Sequence, residues 1–239
     1  MKGYKLSMFQ LMINTKSENI FNRIVNTIEE YENKLYKNKT KNKKYVKNIK
    51  IGKMKIHPPG KLQINIDKLD INEYIIGSIE LKILINNKTN ISVLLFKNKM
   101  KLSGGFVKEF FNDKLPNDEE FNEYVHELSS IIGSIFKVDL EKDQKISLLN
   151  SILKMDMIIP EFIKFCKKHF ENNESYNRVI MPFTSERGRM CAIKVYPNQT
   201  NESVHFDHKG NLQFFGFKSV CKLNKFVREI REIILVNTS

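Results

Sequence analysis

Ser203-Val204-His205-Phe206-Asp207-His208-Lys209-Gly210-Asn211-Leu212-Gln213-Phe214-Phe215-Gly216-Phe217 decides how the chain is read. Two runs of alternating residues flank a Lys-Gly-Asn turn, the local signature of a β-hairpin. Gly216 ends the second strand. Leu223, Phe226, Val227, Ile230 and Ile234 then recur at helical spacing, so the hairpin feeds straight into an amphipathic helix. A weaker copy lies about 110 residues earlier, in Ile91-Ser92-Val93-Leu94-Leu95-Phe96-Lys97-Asn98-Lys99-Met100-Lys101-Leu102-Ser103-Gly104-Gly105. It too precedes a helical pattern: Phe121, Val125, Leu128, Ile131 and Ile132. One supersecondary unit occurs twice.

Working outward, residues 4 to 14 alternate as a first strand, and Ser17 caps a helix carrying Ile20, Phe21, Ile24, Val25 and Ile28. Lysines crowd Lys34 to Lys55, which reads as a solvated helix end and loop or as a flexible arm that grips phosphates. Pro58-Pro59-Gly60 breaks what precedes it. Strand-like runs follow at Leu62–Ile66, Ile79–Ile85, Ile91–Phe96 and Met100–Ser103. Asn117-Asp118-Glu119-Glu120 opens a helix acid-first, as the helix dipole prefers, and that helix ends near Phe136. Lys137 to Lys145 links the halves. The second half reads as a strand at Ile146–Met157 and a helix from Pro160 with Phe162, Ile163, Phe165, Cys166 and Phe170 inward. Strands at Tyr176–Met181, Met190–Tyr196, Ser203–Phe206 and Leu212–Phe217 lead to a closing helix, Leu223–Val236. Strand, helix, four strands and helix, repeated, give an α+β chain of two units whose strands suit one curved antiparallel sheet.

The 239 residues are 41% hydrophobic, enough for a sizeable core, and 40 Lys plus Arg against 27 Asp plus Glu leave a formal charge of +13. That balance suits a polyanion, nucleic acid first, because neutralising phosphates releases condensed counterions. Cys166, Cys191 and Cys221 are isolated and odd in number, which fits a reducing compartment and argues against a zinc ribbon. The opening residues do not read as a basic-plus-apolar leader and no apolar run approaches about 18 residues, so neither secretion nor membrane spanning is expected. His205, Asp207 and His208 lack a fourth ligand of obvious spacing, and neither a glycine-rich phosphate loop nor a carboxylate pair is evident. No catalysis, metal or cofactor is expected.

Gly210-Asn211-Leu212-Gln213-Phe214-Phe215-Gly216 and Lys99-Met100-Lys101-Leu102-Ser103-Gly104 resemble the strand ending in Thr-Gly in each half of the TATA-box-binding protein family. Leu94-Leu95-Phe96 resembles that family's Leu-Ile-Phe strand. Asn150-Ser151-Ile152-Leu153-Lys154-Met155-Asp156 is similar to the first strand of its second half. The resemblance covers about Lys145 to Val236, and the first half in patches. It is to a divergent member, of the kind a large DNA virus would encode.

The resemblance implies a saddle of two pseudo-symmetric repeats: 1–137, with a Lys-rich insertion at about 37–60, and 138–239. One curved antiparallel sheet would carry its helices on the convex face. It also implies a non-enzymatic transcription initiation factor that binds and bends AT-rich double-stranded promoter DNA through the minor groove. Phe96, Phe183 and Phe206 match or stand near wedge positions, and Asn150 matches the Asn that reads the groove centre. Alternation turns Lys99, Lys101, Ser103, Gln213 and Phe215 toward the DNA face, which makes that face more polar and basic than the family's. Glu186 and Arg187 in a turn, and Lys222, Lys225, Arg228 and Arg231 on the last helix, are the expected contacts for general transcription factors or RNA polymerase. No membrane or small-molecule partner is expected. The implied location is intracellular: the nucleus or, for a viral protein, the host's cytoplasmic replication site or the virion. Two rivals stand beside this reading. One is an assembly platform of the same fold with little direct TATA recognition. The other is a nucleic-acid-gripping module of a processing enzyme.

Overall fold

The computed structural model describes residues 4–16, 20–40, 42–58, 76–105, 116–154, 168–170, 173–180, 192–197, 200–207 and 211–236. The chain divides into two compact units, neither continuous in sequence. Phe9–Phe110 with Glu119–Ser147 form the N-terminal unit. Met1–Met8, Phe111–Asp118 and Leu148–Ser239 form the C-terminal unit. The class is α+β, with antiparallel strands and amphipathic helices.

In the N-terminal unit the strands are β1 (Tyr4–Thr15, from Phe9 onward), β2 (Leu35–Lys37), β3 (Asn48–His57), β4 (Ser78–Ile85), β5 (Thr89–Leu95) and β6 (Lys99–Gly104). Their order is β2-β3-β4-β5-β6-β1, antiparallel throughout. The period of two does the sorting. Leu11, Leu102, Val93 and Leu81 stand opposite one another across four strands, and all are fully buried. Helix α1 (Ile20–Asn26) and the single turn α2 (Ile28–Tyr31) bury Ile20, Ile24 and Tyr31. Helix α3 (Asp118–Phe136) carries its apolar stripe at helical spacing, and Phe121 and Tyr124 meet Phe9 edge-on at 6.3 and 6.0 Å. Each such ring contributes roughly 1.5–3 kcal/mol when taken out of water. Helix α3 stops because Lys137 turns left-handed at φ 53° and Val138 N–H donates to Gly133 O. The Arg23 guanidinium then donates to Phe136 O and Lys137 O, both at 2.8 Å, which satisfies carbonyls the helix leaves unpaired.

The lysine-rich segment corrects the expectation of a solvated helix end and loop or a flexible arm: it is two strands joined by a pinned loop. Leu35–Lys37 and Asn48–His57 are strands, so β3 precedes Pro58, whereas the expected strand at Leu62–Ile66 lies outside the described residues. In β3, Ile49, Ile51 and Met54 are buried while Lys50, Lys53 and Lys55 are exposed. The connecting loop is pinned from α3. The buried Glu127 carboxylate accepts from the backbone N–H groups of Lys44 (2.9 Å), Tyr45 (3.1 Å) and Val46 (2.6 Å). Asn86, at φ 49° in the β4–β5 turn, accepts from Lys47 N and Asn48 N and donates to Tyr45 O.

In the C-terminal unit β7 (Leu140–Lys154), β8 (Tyr176–Ile180), β9 (Ala192–Pro197), β10 (Ser203–Asp207) and β11 (Asn211–Phe217) run in the order β7-β11-β10-β9-β8. β7 starts at Leu140, so the expected link over Lys137 to Lys145 is mostly strand. Residues of β7 up to Ser147 belong with the N-terminal unit, where Ser147 Oγ donates to Gln10 O. The closing helix α4 (Val220–Val236) buries Val220, Leu223, Val227, Ile230 and Ile234, and its Phe226 ring meets Phe214 and Phe217 at 6.0 and 5.6 Å. Its first turn is capped twice: Ser219 Oγ accepts from Lys222 N, and Asp118 Oδ1 accepts from Cys221 N. Most of the helix expected from Pro160 lies outside the described residues. Its end, 168–170, is helical and buries Phe170.

Gly216 holds a bulge where the β11–β7 register shifts. Its φ is +84°, and an added Cβ would stand 2.9 Å from Asn201 O. Gly216→Ala is therefore expected to destabilise the protein by about 1–3 kcal/mol, read as a shift in a urea unfolding midpoint. An unchanged midpoint would mean the bulge relaxes without strain.

Candidate nucleic-acid interface

The residues between the buried ones form a second strand face in each unit. In the N-terminal unit Lys99, Lys101 and Ser103 alternate with the buried Met100 and Leu102, so they point away from α3. Register places them beside Asn14, Met12 and Gln10 on one side. On the other side Leu94 and Ser92 stand opposite Lys101 and Ser103. All of these are exposed or half-buried. Lys82, opposite Ser92, and Lys50, opposite Leu84, extend the face across β4 and β3. The lysine-dense reading of residues 34 to 55 hid Lys50; its alternation with Ile49 and Ile51 was the available signal. Phe96 follows β5 at a tight turn, half-buried, with Lys99 Nζ 5.3 Å from its ring centre. A cation over an exposed ring is worth about 0.5–1 kcal/mol.

In the C-terminal unit Gln213 stands between His205 on β10 and Ile152 on β7, and Lys194 stands opposite His205 on β9. The His205 and Phe215 rings lie 4.4 Å apart, tilted by 44°. Asn150 shares this face by alternation with Leu149 and Ser151. It is buried, and its Oδ1 has no hydrogen-bond partner among the described residues. The sequence motif presents His205 only as a candidate metal ligand. Its place beside Phe215 follows from strand register, which no local motif states.

Phe206 must be withdrawn as a wedge. It pairs with Leu212 in register, which puts it on the α4-covered face, and it is fully buried with its ring 5.6 Å from Phe170. Phe183, Glu186 and Arg187 lie outside the described residues. Lys222, Lys225, Arg228 and Arg231 are all exposed on α4, but Glu229 and Glu232 stand among them. That surface is mixed in charge rather than basic, and a groove of about 600 Å³ runs along it, lined by Asp118, Asn224, Lys225 and Glu229 among others. Tyr176 OH donates to Glu229 at 2.8 Å, and burial followed by the Glu229 carboxylate pushes the phenol pKa up.

Burial and then Lys194 pull the His205 imidazole down to about 4 from 6.5, so the ring is neutral at pH 7. Its Nε2 lies 3.3 Å from Ser203 Oγ. Between pH 6.5 and about 4 the unfolded chain takes up a proton that the fold refuses, so stability falls with acidification through that window. His205→Phe is expected to flatten this part of the stability–pH curve. An unchanged slope would place the titration elsewhere.

Among the described residues no three His, Cys, Asp or Glu side chains are gathered to hold a metal ion, and no helix is long and apolar enough to cross a membrane. No family model and no curated protein sequence matches the chain. Among solved structures it is similar to the TBP of Methanococcus jannaschii, at 12% identity over 97% of each chain with a TM-score of 0.47.

Proposed function

We propose that this protein is a TATA-binding-protein-like initiation factor that binds AT-rich promoter duplex in the minor groove through its uncovered strand faces, bends it, and recruits polymerase or general transcription factors through α4. One observation carries the reading. In each unit one strand face is packed against aromatic side chains of the helices, and the other keeps lysine, amide, hydroxyl and aromatic side chains within reach of a ligand. The charge of +13 supplies the attraction. Such a site needs no catalytic group. The motif resemblance adds the promoter and the minor groove.

A specific observation favours a second reading, the assembly platform. Lys99, Lys101, Ser103, Gln213 and His205 make the open face polar, and with Phe206 in the core one expected wedge is gone. The A·T minor groove offers acceptors only, so an apolar face with few donors reads it best. Fluorescence anisotropy with AT-rich and GC-rich duplexes, paired with end-to-end FRET for bending, separates the two. Promoter recognition requires tighter binding and bending of the AT-rich duplex. Equal, weak affinities without bending would leave the platform.

A further inference from the structure

We infer that the open face of the C-terminal unit is a stacking platform for unpaired nucleotides, with Phe215 and His205 receiving the base and Asn150 reading its edge. The inference rests on the reading that this face is the nucleic-acid surface, and it names the form of nucleic acid the face takes.

Three independent features converge there. The first is the ring pair. Phe215 and His205 are half-buried, 4.4 Å apart, and anchored on two adjacent strands, so their exposed surface is held in place before any ligand arrives. Preorganised aromatic surface of this kind is what base stacking uses, and every base has a π-face to offer. The second is Asn150. Its buried Oδ1 is an acceptor with no donor among the described residues, and burying an acceptor unpaired is costly. An A·T minor groove presents further acceptors and supplies no donor, whereas the exocyclic amino group of an unpaired adenine or cytosine supplies one when the Asn150 side chain, buried in the free protein, turns toward the open face. The third is charge. Lys194 stands opposite His205 on β9, and the exposed Lys154 stands on β7 opposite Asn211, so the strands on either side of the β10–β11 pair each carry a cation. Gln213, between His205 and Ile152, adds an amide beside the rings.

The test uses the full chain and three fluorescein-labelled probes: a 12-nucleotide adenine–thymine single strand, the same strand with abasic sites, and its duplex. The single strand is expected to bind, and Phe215→Leu, which keeps apolar volume but removes the ring, to weaken that binding about five- to a hundredfold. On the abasic strand the same substitution is expected to change binding less than twofold. Circular dichroism checks that the variant folds, and His205→Leu serves as the second variant, with a loss of the same direction. Failure of the wild-type chain to bind the single strand, or an equal effect of Phe215→Leu on intact and abasic strands, overturns the inference. Binding of the duplex without the single strand would spare the promoter reading and sink this one. Binding of the single strand without the duplex would do the reverse.

Discussion

Glu127→Ala is expected to lower the stability of the protein by about 3–5 kcal/mol, because three successive backbone N–H groups lose their common acceptor. Glu127 is 7% exposed, and its carboxylate receives Lys44, Tyr45 and Val46 from a loop more than 80 residues away in sequence. Tyr45 and Val46 are themselves buried, and the Tyr45 ring meets Tyr124 edge-on at 6.0 Å. Water reaching the vacated site would have to enter a closed part of the core. Glu127→Gln keeps an acceptor but brings a donor toward other donors, and a smaller loss is expected. Urea unfolding measures both, and faster amide exchange at 44–46 in Glu127→Ala would localise the effect. A loss below about 1 kcal/mol would mean the loop is held chiefly by Asn86 and by packing.

The double substitution Lys99→Ala with Lys101→Ala is expected to weaken duplex binding about two-hundredfold at 50 mM salt, and only about twentyfold at 200 mM. Each lysine that neutralises a phosphate contributes a slope of about −0.9 in log affinity against log salt, so the pair accounts for about −1.8. The shift in slope is the sharper readout, since misfolding alone would not reproduce it. Neither residue is part of the core, where Met100 and Leu102 alternate with them. An unchanged slope would remove β6 from the interface.

How much was legible beforehand depended on whether alternation was local and unbroken. The β10–β11 hairpin and α3 were read to within a residue or two, because Leu212 and Phe214, and then Phe121, Val125, Leu128 and Ile132, keep one phase from end to end. β3 was missed for two reasons. Lysines at every outward position made the segment look like a charge run. The bulge between Ile51 and Met54 also shifts the phase, so Ile49, Ile51 and Met54 no longer alternate strictly. The face chosen by Lys99, Lys101, Ser103, Gln213 and Phe215 was legible from period two. The face chosen by Phe206 was not, since it depends on the register that sets it opposite Leu212. The pinning of the lysine loop by Glu127 and the meeting of His205 with Phe215 are tertiary facts without a local signature.

The most direct measurement is lysine footprinting: acetylation of each lysine with and without bound AT-rich duplex, followed by mass spectrometry. Lys99, Lys101 and Lys154, on the open strand faces, are expected to be protected, while Lys222 and Lys225 on α4 react as they do in the free protein. Protection of Lys222 and Lys225 with Lys99, Lys101 and Lys154 still reactive would put the nucleic acid on the helical side and contradict the interface proposed for this protein.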